Sequence, residues 1–359
     1  MKKTFTDNYL PKFGAKSIYE HMQDDESRKI FMWRYDYFVT RDNDKFNNAF
    51  FQNIKRDYKF NFLINDLKNY KGDVILYGAG AICETLIPHL LKYSEIKIKT
   101  ICDTYKSGTT ICGIPIITVD EMLATRCDSP IVLSTLSGCA QNEMREVLLS
   151  HGVKKESIFV PLFPQDKEQY FVADIIKPKN NEVFIDAGGF DGDTILCFAD
   201  FVKNSGYKRI YSFEPDPEYY EKAKSTIENY HLQNVLLFNK GLWNKSETLN
   251  FDLPGVAGSS IVSEGGKIKI EAVALDDVVD KSDKVTFIKM DIEGAELNAL
   301  HGSKEIIKRD KPRLAICVYH KPKDILYLAS YILELNPEYK FYLRHHSPIS
   351  LFETVLYAI

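Results

Sequence analysis

The sequence predicts an α/β fold with two separate, mostly parallel sheets. In the C-terminal half, short apolar runs that favour strands alternate with periodic stretches that favour helices. The arrangement of strand, glycine-rich turn and helix occurs twice, at 183–201 and at 73–91. The first 71 residues are rich in aromatic side chains and lack the alternation of apolar and polar residues that is typical of strands. This pattern predicts a helical segment there.

The stretch VFIDAGGFDGDT at 183–194 indicates a nucleotide-binding turn. An apolar strand ends at an aspartate, glycines follow, and a helical pattern begins at Thr194. Glycine has no Cβ, so the backbone N–H groups of such a turn can approach a ligand closely. The candidate cofactor-binding residues are Asp186, Gly188, Gly189 and Gly192.

Glu214 ends the next predicted strand, 209–213. An acid at this distance after a glycine turn is placed to bind the two hydroxyls of a ribose. A tight turn followed by a solvated carboxylate is the alternative, and the combined pattern disfavours it. Asn239 and Gly241, after the third strand, complete the predicted cofactor-binding set.

The C-terminal half predicts seven strands, with an added hairpin between the third and fourth, at 248–252 and 267–273. The connection between the last two strands, 345–352, is too short for a helical crossover, so these strands should be antiparallel. A mostly parallel sheet with an antiparallel last strand is the architecture of class I methyltransferases. The strands fall near 183–187, 209–214, 235–239, 285–290, 313–319, 339–344 and 354–358.

A smaller Rossmann-like α/β domain is predicted at 72–165. The strand DVILY leads into the turn GAGAIC at 78–83, and a later strand ends at Asp103. The segment is too short for a full six-stranded dinucleotide-binding sheet. Two interpretations stay open, a structural or degenerate domain and a domain that binds a nucleotide.

The predicted organisation is a helical N-terminal arm at 1–71, the small domain at 72–165 and a larger domain at 166–359. Asp24 and Asp25 can cap a helix that runs to Phe38, and a second helical pattern covers 46–67. The arm is expected to pack on the same chain, or on another subunit in a homo-oligomer. Prolines and a polar run at 161–169 predict a linker.

Composition excludes several classes of protein. The 359 residues are 45% hydrophobic and 27% charged, as in ordinary soluble proteins, and a net charge of −4 gives no case for a nucleic-acid partner. Seven cysteines without a CxxC pair predict reduced thiols and a cytoplasmic location. Neither a signal peptide nor an apolar run long enough for a membrane span is found.

The stretch VTFIKMDIEGAELNALHGS at 285–303 resembles a signature of the FkbM-type S-adenosylmethionine-dependent methyltransferases. The family pattern Ile-Lys-x-Asp-x-Glu-Gly-x-Glu falls on 288–296, its Leu-Asp-Asp on 275–277 and its Phe-Glu-Pro on 213–215. The resemblance covers roughly 180–359. It departs in the glycine turn, where Gly189 and Phe190 replace the family's Ala and Asn, and in the fifth strand, which ends in Tyr319 and His320.

Both ligands of such a fold lie beyond the carboxyl ends of the strands. His320, at the end of the fifth strand, is the predicted general base, with Asp291 as the second catalytic candidate and a further contact to the cofactor. The residues predicted to bind the acceptor are Glu293, Tyr319 and His345. No metal is predicted, because no ligand set of the usual spacing is present. Lys289 is expected to pair with a buried acid such as Glu296.

The resemblance implies a cytoplasmic O-methyltransferase that uses S-adenosyl-L-methionine. Its acceptor would be a hydroxyl of a small molecule or glycan, namely a sugar or glycoconjugate precursor as in polysaccharide biosynthesis. One alternative is a nicotinamide-dependent oxidoreductase or epimerase of nucleotide sugars that uses the turn at 78–83. The other is a non-catalytic scaffold with two nucleotide-binding modules.

Overall fold

In the computed structural model, two compact units are formed by the described residues, which are 8–42, 67, 73–91, 96–125, 128–135, 138–160, 169–252, 260–261, 268–346 and 352–359. One unit contains 8–42 and the described residues from 169 onward, and the other contains those from 67 to 160. The predicted linker at 161–168 and most of the second helical pattern of the arm lie outside the described residues.

The smaller unit is a six-stranded sheet in the order β3-β4-β2-β1-β5-β6. The sequence predicted four of these strands. The two further strands, β3 and β4, form a short antiparallel hairpin. The sheet therefore has six strands, although the segment was expected to be too short for a full six-stranded dinucleotide-binding sheet. The elements are β1 Asp73–Tyr77, α3 Ala81–Leu91, β2 Lys97–Cys102, β3 Thr110–Ile111, β4 Ile114–Ile117, α4 Val119–Thr125, β5 Ile131–Leu133, α5 Gly138–Ser150 and β6 Ile158–Phe159.

The larger unit has a seven-stranded sheet in the order β16-β17-β15-β14-β7-β8-β9. All seven predicted strands are present, and β17 is antiparallel to both of its neighbours, as the short connection before it predicted. The elements are β7 Glu182–Ala187, α6 Asp193–Phe201, β8 Tyr207–Phe213, α7 Pro217–Asn229, β9 Val235–Phe238, β14 Phe287–Met290, α9 Glu296–His301, α10 Lys304–Asp310, β15 Arg313–Cys317, α11 Asp324–Leu335, β16 Phe341–His345 and β17 Thr354–Ala358.

The predicted hairpin between the third and fourth strands is part of a second, four-stranded sheet in the order β10-β13-β11-β12. Its two long strands pair antiparallel from Glu247↔Ala272 to Phe251↔Ile268. The elements are β10 Gly241–Leu242, β11 Glu247–Asp252, β12 Ser260–Ile261, β13 Ile268–Val273 and the short helix α8 Leu275–Val278 that follows.

Two N-terminal helices, α1 Ala15–His21 and α2 Asp25–Thr40, pack on the same unit as the large sheet. Their apolar side chains, including Phe31, belong to the core cluster that covers one face of that sheet. Asp24 caps α2 as predicted, because its side chain accepts a hydrogen bond from the Ser27 N–H at 2.8 Å. Asp24 also pairs with Arg344 of β16 at 2.7 Å. The helices therefore extend the core of their own chain.

The glycine turn after β7 and the end of β14 are in direct contact. Gly188 has φ +83°, and a Cβ at this position would lie 1.9 Å from the Asp291 backbone oxygen. The sequence predicted that Gly188 leaves room for a ligand. The structure gives another reason for this glycine, since it lets the turn pack against the strand that supplies Asp291.

None of the helices in the described part of the chain has the length and apolar character that a membrane span requires.

Candidate active site

An ion pair lies buried at the centre of the sheet, below the glycine turn. Lys289 and Asp186 face each other in the register of β14 and β7, and their side chains lie 3.2 Å apart with 3% and 0% exposed. The Lys289 ammonium also donates to the Gly188 carbonyl at 2.5 Å. Lys289 thus pairs with a buried acid as expected, but that acid is Asp186 and not Glu296, and Lys289 links Asp186 to the turn.

Glu214 lies at the end of β8, where the ribose-binding acid was predicted. One carboxylate oxygen accepts from the Phe190 N–H at 2.8 Å and the other from the Asp216 N–H at 2.9 Å. Burial raises the pKa of Glu214 to about 7, although these two N–H groups oppose the shift. A carboxylate has about four acceptor positions, so two remain for a pair of hydroxyls.

The surroundings of Glu214 are built by the other predicted residues. The Asn239 amide donates to the Glu214 carbonyl at 2.9 Å and so holds the backbone of that strand end. Gly241 is buried in β10, where a Cβ would come no closer than 3.4 Å to Ile270. Phe190, which departs from the family pattern, stacks on Tyr219 with 4.0 Å between ring centroids. These residues surround Glu214 on the side of the glycine turn.

Asp291 follows β14 and lies at the centre of a polar cluster. Its carboxylate accepts from the Tyr170 hydroxyl at 2.7 Å and the Tyr319 hydroxyl at 3.2 Å, and lies 3.3 Å from His320 Nε2. Burial alone would raise the pKa of Asp291, but the neighbouring His320 and the charge of Lys289 lower it below its ordinary value. Asp291 is therefore ionised at neutral pH.

His320 follows β15 and is surrounded by acids. Its Nδ1 lies 3.0 Å from Glu296, and its Nε2 lies 3.4 Å from Glu293. Burial alone would lower the pKa of His320, but Glu296 and Asp291 together raise it well above its ordinary value. The structure thus places His320 at the predicted position, and its role as general base stays a prediction; the raised pKa differs from the expected value of about 6 to 7.

Two side chains that the sequence analysis missed complete the cluster. Tyr170 directly follows the predicted linker at 161–169, and Glu353 directly precedes β17. The Tyr319 hydroxyl lies 3.4 Å from the Glu353 carboxylate and 3.2 Å from that of Asp291. Burial and the charge of Asp291 raise the pKa of Glu353 to about 7. Glu353 could have been found from the sequence, because it is an acid directly before the last predicted strand. No feature of the sequence marked Tyr170 as a residue of the site.

His345 does not line this cluster. Its side chain is 1% exposed, and its Nδ1 forms a hydrogen bond with Thr354 of the neighbouring strand at 2.6 Å. The prediction that His345 binds the acceptor was wrong, because the last strand pair buries the ring inside the sheet.

In the smaller unit, side chains that follow the second strand form hydrogen bonds with the backbone of the turn at 78–83. Asp103 accepts from the backbone N–H groups of Ala79, Tyr105 and Lys106, and these bonds outweigh burial and lower its pKa. The Lys106 ammonium donates to the Ala79 carbonyl at 3.0 Å. The acid at the end of this strand thus holds the turn itself, which favours the structural interpretation of this domain.

The strand order of the large sheet, its antiparallel last strand and the polar groups at the carboxyl ends of its strands define a class I methyltransferase fold. Residues 186–343 match the sequence model of the methyltransferase FkbM domain. This part of the chain is therefore an FkbM methyltransferase domain, and the resemblance inferred from 285–303 is confirmed. No curated protein sequence is similar enough to match the chain.

Three solved structures that match parts of the chain are the following. The methyltransferase FkbM from Methylobacillus flagellatus KT is 20% identical, with a TM-score of 0.49 over 83% of this chain and 93% of that one. A Streptococcus mutans protein in complex with SAH is 17% identical, with a TM-score of 0.35 over 54% and 97%. Aeropyrum pernix fibrillarin with bound S-adenosyl-L-methionine is 13% identical, with a TM-score of 0.33 over 53% and 73%.

Proposed function

We propose that this chain is an S-adenosylmethionine-dependent O-methyltransferase that acts on a hydroxyl of a sugar or glycoconjugate precursor. The observation that carries the proposal is the contact between the glycine turn and the segment of Asp291. A ligand on the turn therefore has the Asp291 cluster beside it, and Glu214 is available at the neighbouring strand end.

The residues of the turn fit the proposed methyl donor. Glu214 has unused acceptor capacity for the ribose hydroxyls, and Phe190 and Tyr219 offer aromatic faces next to it. When bound, S-adenosylmethionine supplies an electrophilic methyl group on a sulfonium. Lys289 and Asp186 contribute by holding the turn in place from below.

The Asp291 cluster suits a hydroxylated acceptor. Carboxylates accept hydrogen bonds from hydroxyl groups, and Tyr319 and Phe352 add aromatic surface, with Phe352 58% exposed. Holding the acceptor oxygen in line with the methyl group supplies much of the rate. We propose that Glu353 receives the hydroxyl proton, because its pKa lies close to neutrality and it shares the Tyr319 hydroxyl with Asp291.

The test is transfer of radiolabelled methyl groups from S-adenosylmethionine to a panel of sugars, nucleotide sugars and lipid-linked glycans, together with small molecules that contain no sugar. Labelled product from a hydroxylated sugar would support the proposal. Labelling confined to acceptors that lack a sugar hydroxyl would refute the acceptor class, and failure to bind S-adenosylhomocysteine would refute the donor.

Glu214→Gln should weaken S-adenosylhomocysteine binding by about 1.5 to 3 kcal/mol, because a hydrogen bond to a charged group is lost. Glutamine keeps one acceptor oxygen for the turn, so the fold should persist. Isothermal titration calorimetry measures the affinity. Glu218→Gln, at an exposed acid nearby, is the matched control and should bind like the wild type. Equal affinities in both variants would place the donor elsewhere.

Glu353→Gln should lower kcat by about 10²- to 10⁴-fold on the acceptor that the panel identifies, since the proposed base is removed. In the wild type, kcat/KM should rise with pH through about 7, because Glu353 accepts a proton only when ionised. The variant should lose this ascending limb, and Glu338→Gln, at an exposed acid, should keep it. An unchanged limb in Glu353→Gln would exclude Glu353 as the base.

A further inference from the structure

Three side chains with metal-ligand chemistry meet at the ends of β14 and β15. Asp291, Glu296 and His320 each offer one ligand atom, and these atoms all lie within 4.8 Å of one another. Ligands at the usual 2.0–2.2 Å from a bound ion lie at most about 4.4 Å from each other, so a small inward movement suffices. No metal was predicted from the sequence, because the histidine is far from the two acids in the chain and joins them only through the pairing of β14 with β15.

A second observation points to a ligand at this place. The His320 side chain is 8% exposed, and neither ring nitrogen has a hydrogen-bond partner of good direction, although acids lie within 3.0–3.4 Å. A buried polar group without a hydrogen bond is costly, and in native proteins it calls for a partner. A metal ion would take the place of the proton on one ring nitrogen, the proton would pass to solvent, and that nitrogen would gain a partner.

The carboxylates of Asp291 and Glu296 are held in place by hydrogen bonds from neighbouring groups. The Tyr170 hydroxyl donates to Asp291, and the Ile292 N–H donates to Glu296 at 3.0 Å. Such partners orient ligating carboxylates in metal sites. Glu293, whose carboxylate lies 3.4 Å from His320, is 37% exposed and borders the cluster on its solvent side.

We propose that Asp291, Glu296 and His320 form a binding site for a divalent transition-metal ion. Two carboxylates and one imidazole suit Mn²⁺, Fe²⁺ or Zn²⁺ better than Mg²⁺ or Ca²⁺, which favour oxygen ligands alone. Three protein ligands leave positions for an exogenous oxygen. If the proposed function holds, that oxygen is the acceptor hydroxyl, whose acidity the ion would increase.

The experiment is equilibrium dialysis of chelator-treated full-length protein against Mn²⁺, Zn²⁺ and Mg²⁺, followed by elemental analysis. We expect one ion per chain, with Zn²⁺ bound more tightly than Mn²⁺ and Mg²⁺ bound most weakly. His320→Gln should abolish stoichiometric binding. Tyr170→Phe, which keeps the ring and removes the hydroxyl that donates to Asp291 and accepts from Gln169, should weaken the affinity by about 10- to 100-fold.

His231→Gln, at an exposed histidine, is the matched control and should bind like the wild type. Tryptophan fluorescence checks that each variant is folded. Absence of stoichiometric Mn²⁺ or Zn²⁺ binding in the wild type would overturn the proposal, as would unchanged binding in folded His320→Gln. S-adenosylhomocysteine affinity, measured with and without chelator, separates this failure from failure of the methyltransferase proposal, because Glu214, the proposed ribose contact, is not one of the three ligands.

Discussion

Lys289→Met should destabilise the larger unit by about 3 to 5 kcal/mol, which is the usual cost of breaking a buried ion pair from one side. The substitution leaves Asp186, which is 0% exposed, without its cation, and leaves the Gly188 carbonyl without its donor. Urea unfolding followed by tryptophan fluorescence measures the change. Both tryptophans, Trp33 and Trp243, belong to the larger unit, so the signal reports that unit.

The pH dependence of this variant identifies the cause. Burial already raises the pKa of Asp186 in the intact pair, and loss of Lys289 should raise it further. A carboxyl whose pKa is higher in the folded state binds its proton more tightly there, so the stability deficit should shrink as pH falls. The double variant Asp186→Asn/Lys289→Met should recover part of the loss.

The control for the buried pair is Lys222→Met, which breaks the exposed pair with Glu218. Exposed pairs contribute about 0 to 1 kcal/mol, so this variant should unfold close to the wild type. A deficit in Lys289→Met that is no larger than the control, or one that does not change with pH, would contradict a buried charge as the cause.

Gly188→Ala should destabilise the same unit by at least about 3 kcal/mol and weaken donor binding in the molecules that still fold. The positive φ disfavours alanine, and its Cβ would lie 1.9 Å from the Asp291 backbone oxygen, so the end of β14 must move. Fluorescence-detected unfolding and calorimetry with S-adenosylhomocysteine measure the two effects.

Gly241→Ala is the matched substitution, because Gly241 has ordinary φ and the nearest atom to a Cβ is 3.4 Å away. It should change stability by no more than about 1 kcal/mol. Similar losses at the two positions would show that the contact between the glycine turn and β14 is not what requires Gly188.

The fold of the larger unit was predictable in detail because its signals are local. Each of the seven strands is a short apolar run, and the connection before β17 was too short for anything but an antiparallel pairing. The prediction of the smaller unit was less complete, because a two-residue strand such as β3 is too short to show a hydrophobic periodicity. The resemblance of 285–303 to the FkbM pattern identified the family that residues 186–343 confirm.

The chemistry of the site was less predictable, because charge states depend on neighbours that are distant in sequence. His320 was expected at the end of the fifth strand and is there, but the nearby Glu296 and Asp291 raise its pKa above the expected value. Glu353 reaches the same cluster from the last strand of the chain, which lies beside β15 in the sheet.

By itself, the sequence determined the strand–helix alternation, the two glycine turns and the family, since these depend on residue type and spacing along the chain. Only the tertiary structure decided that Lys289 pairs with Asp186 and that Asp103 closes its own turn. It alone brought Asp291, Glu296 and His320 together. The physical reason is that Coulomb interactions and burial act through space, so a group's ionisation and partners are set by packing.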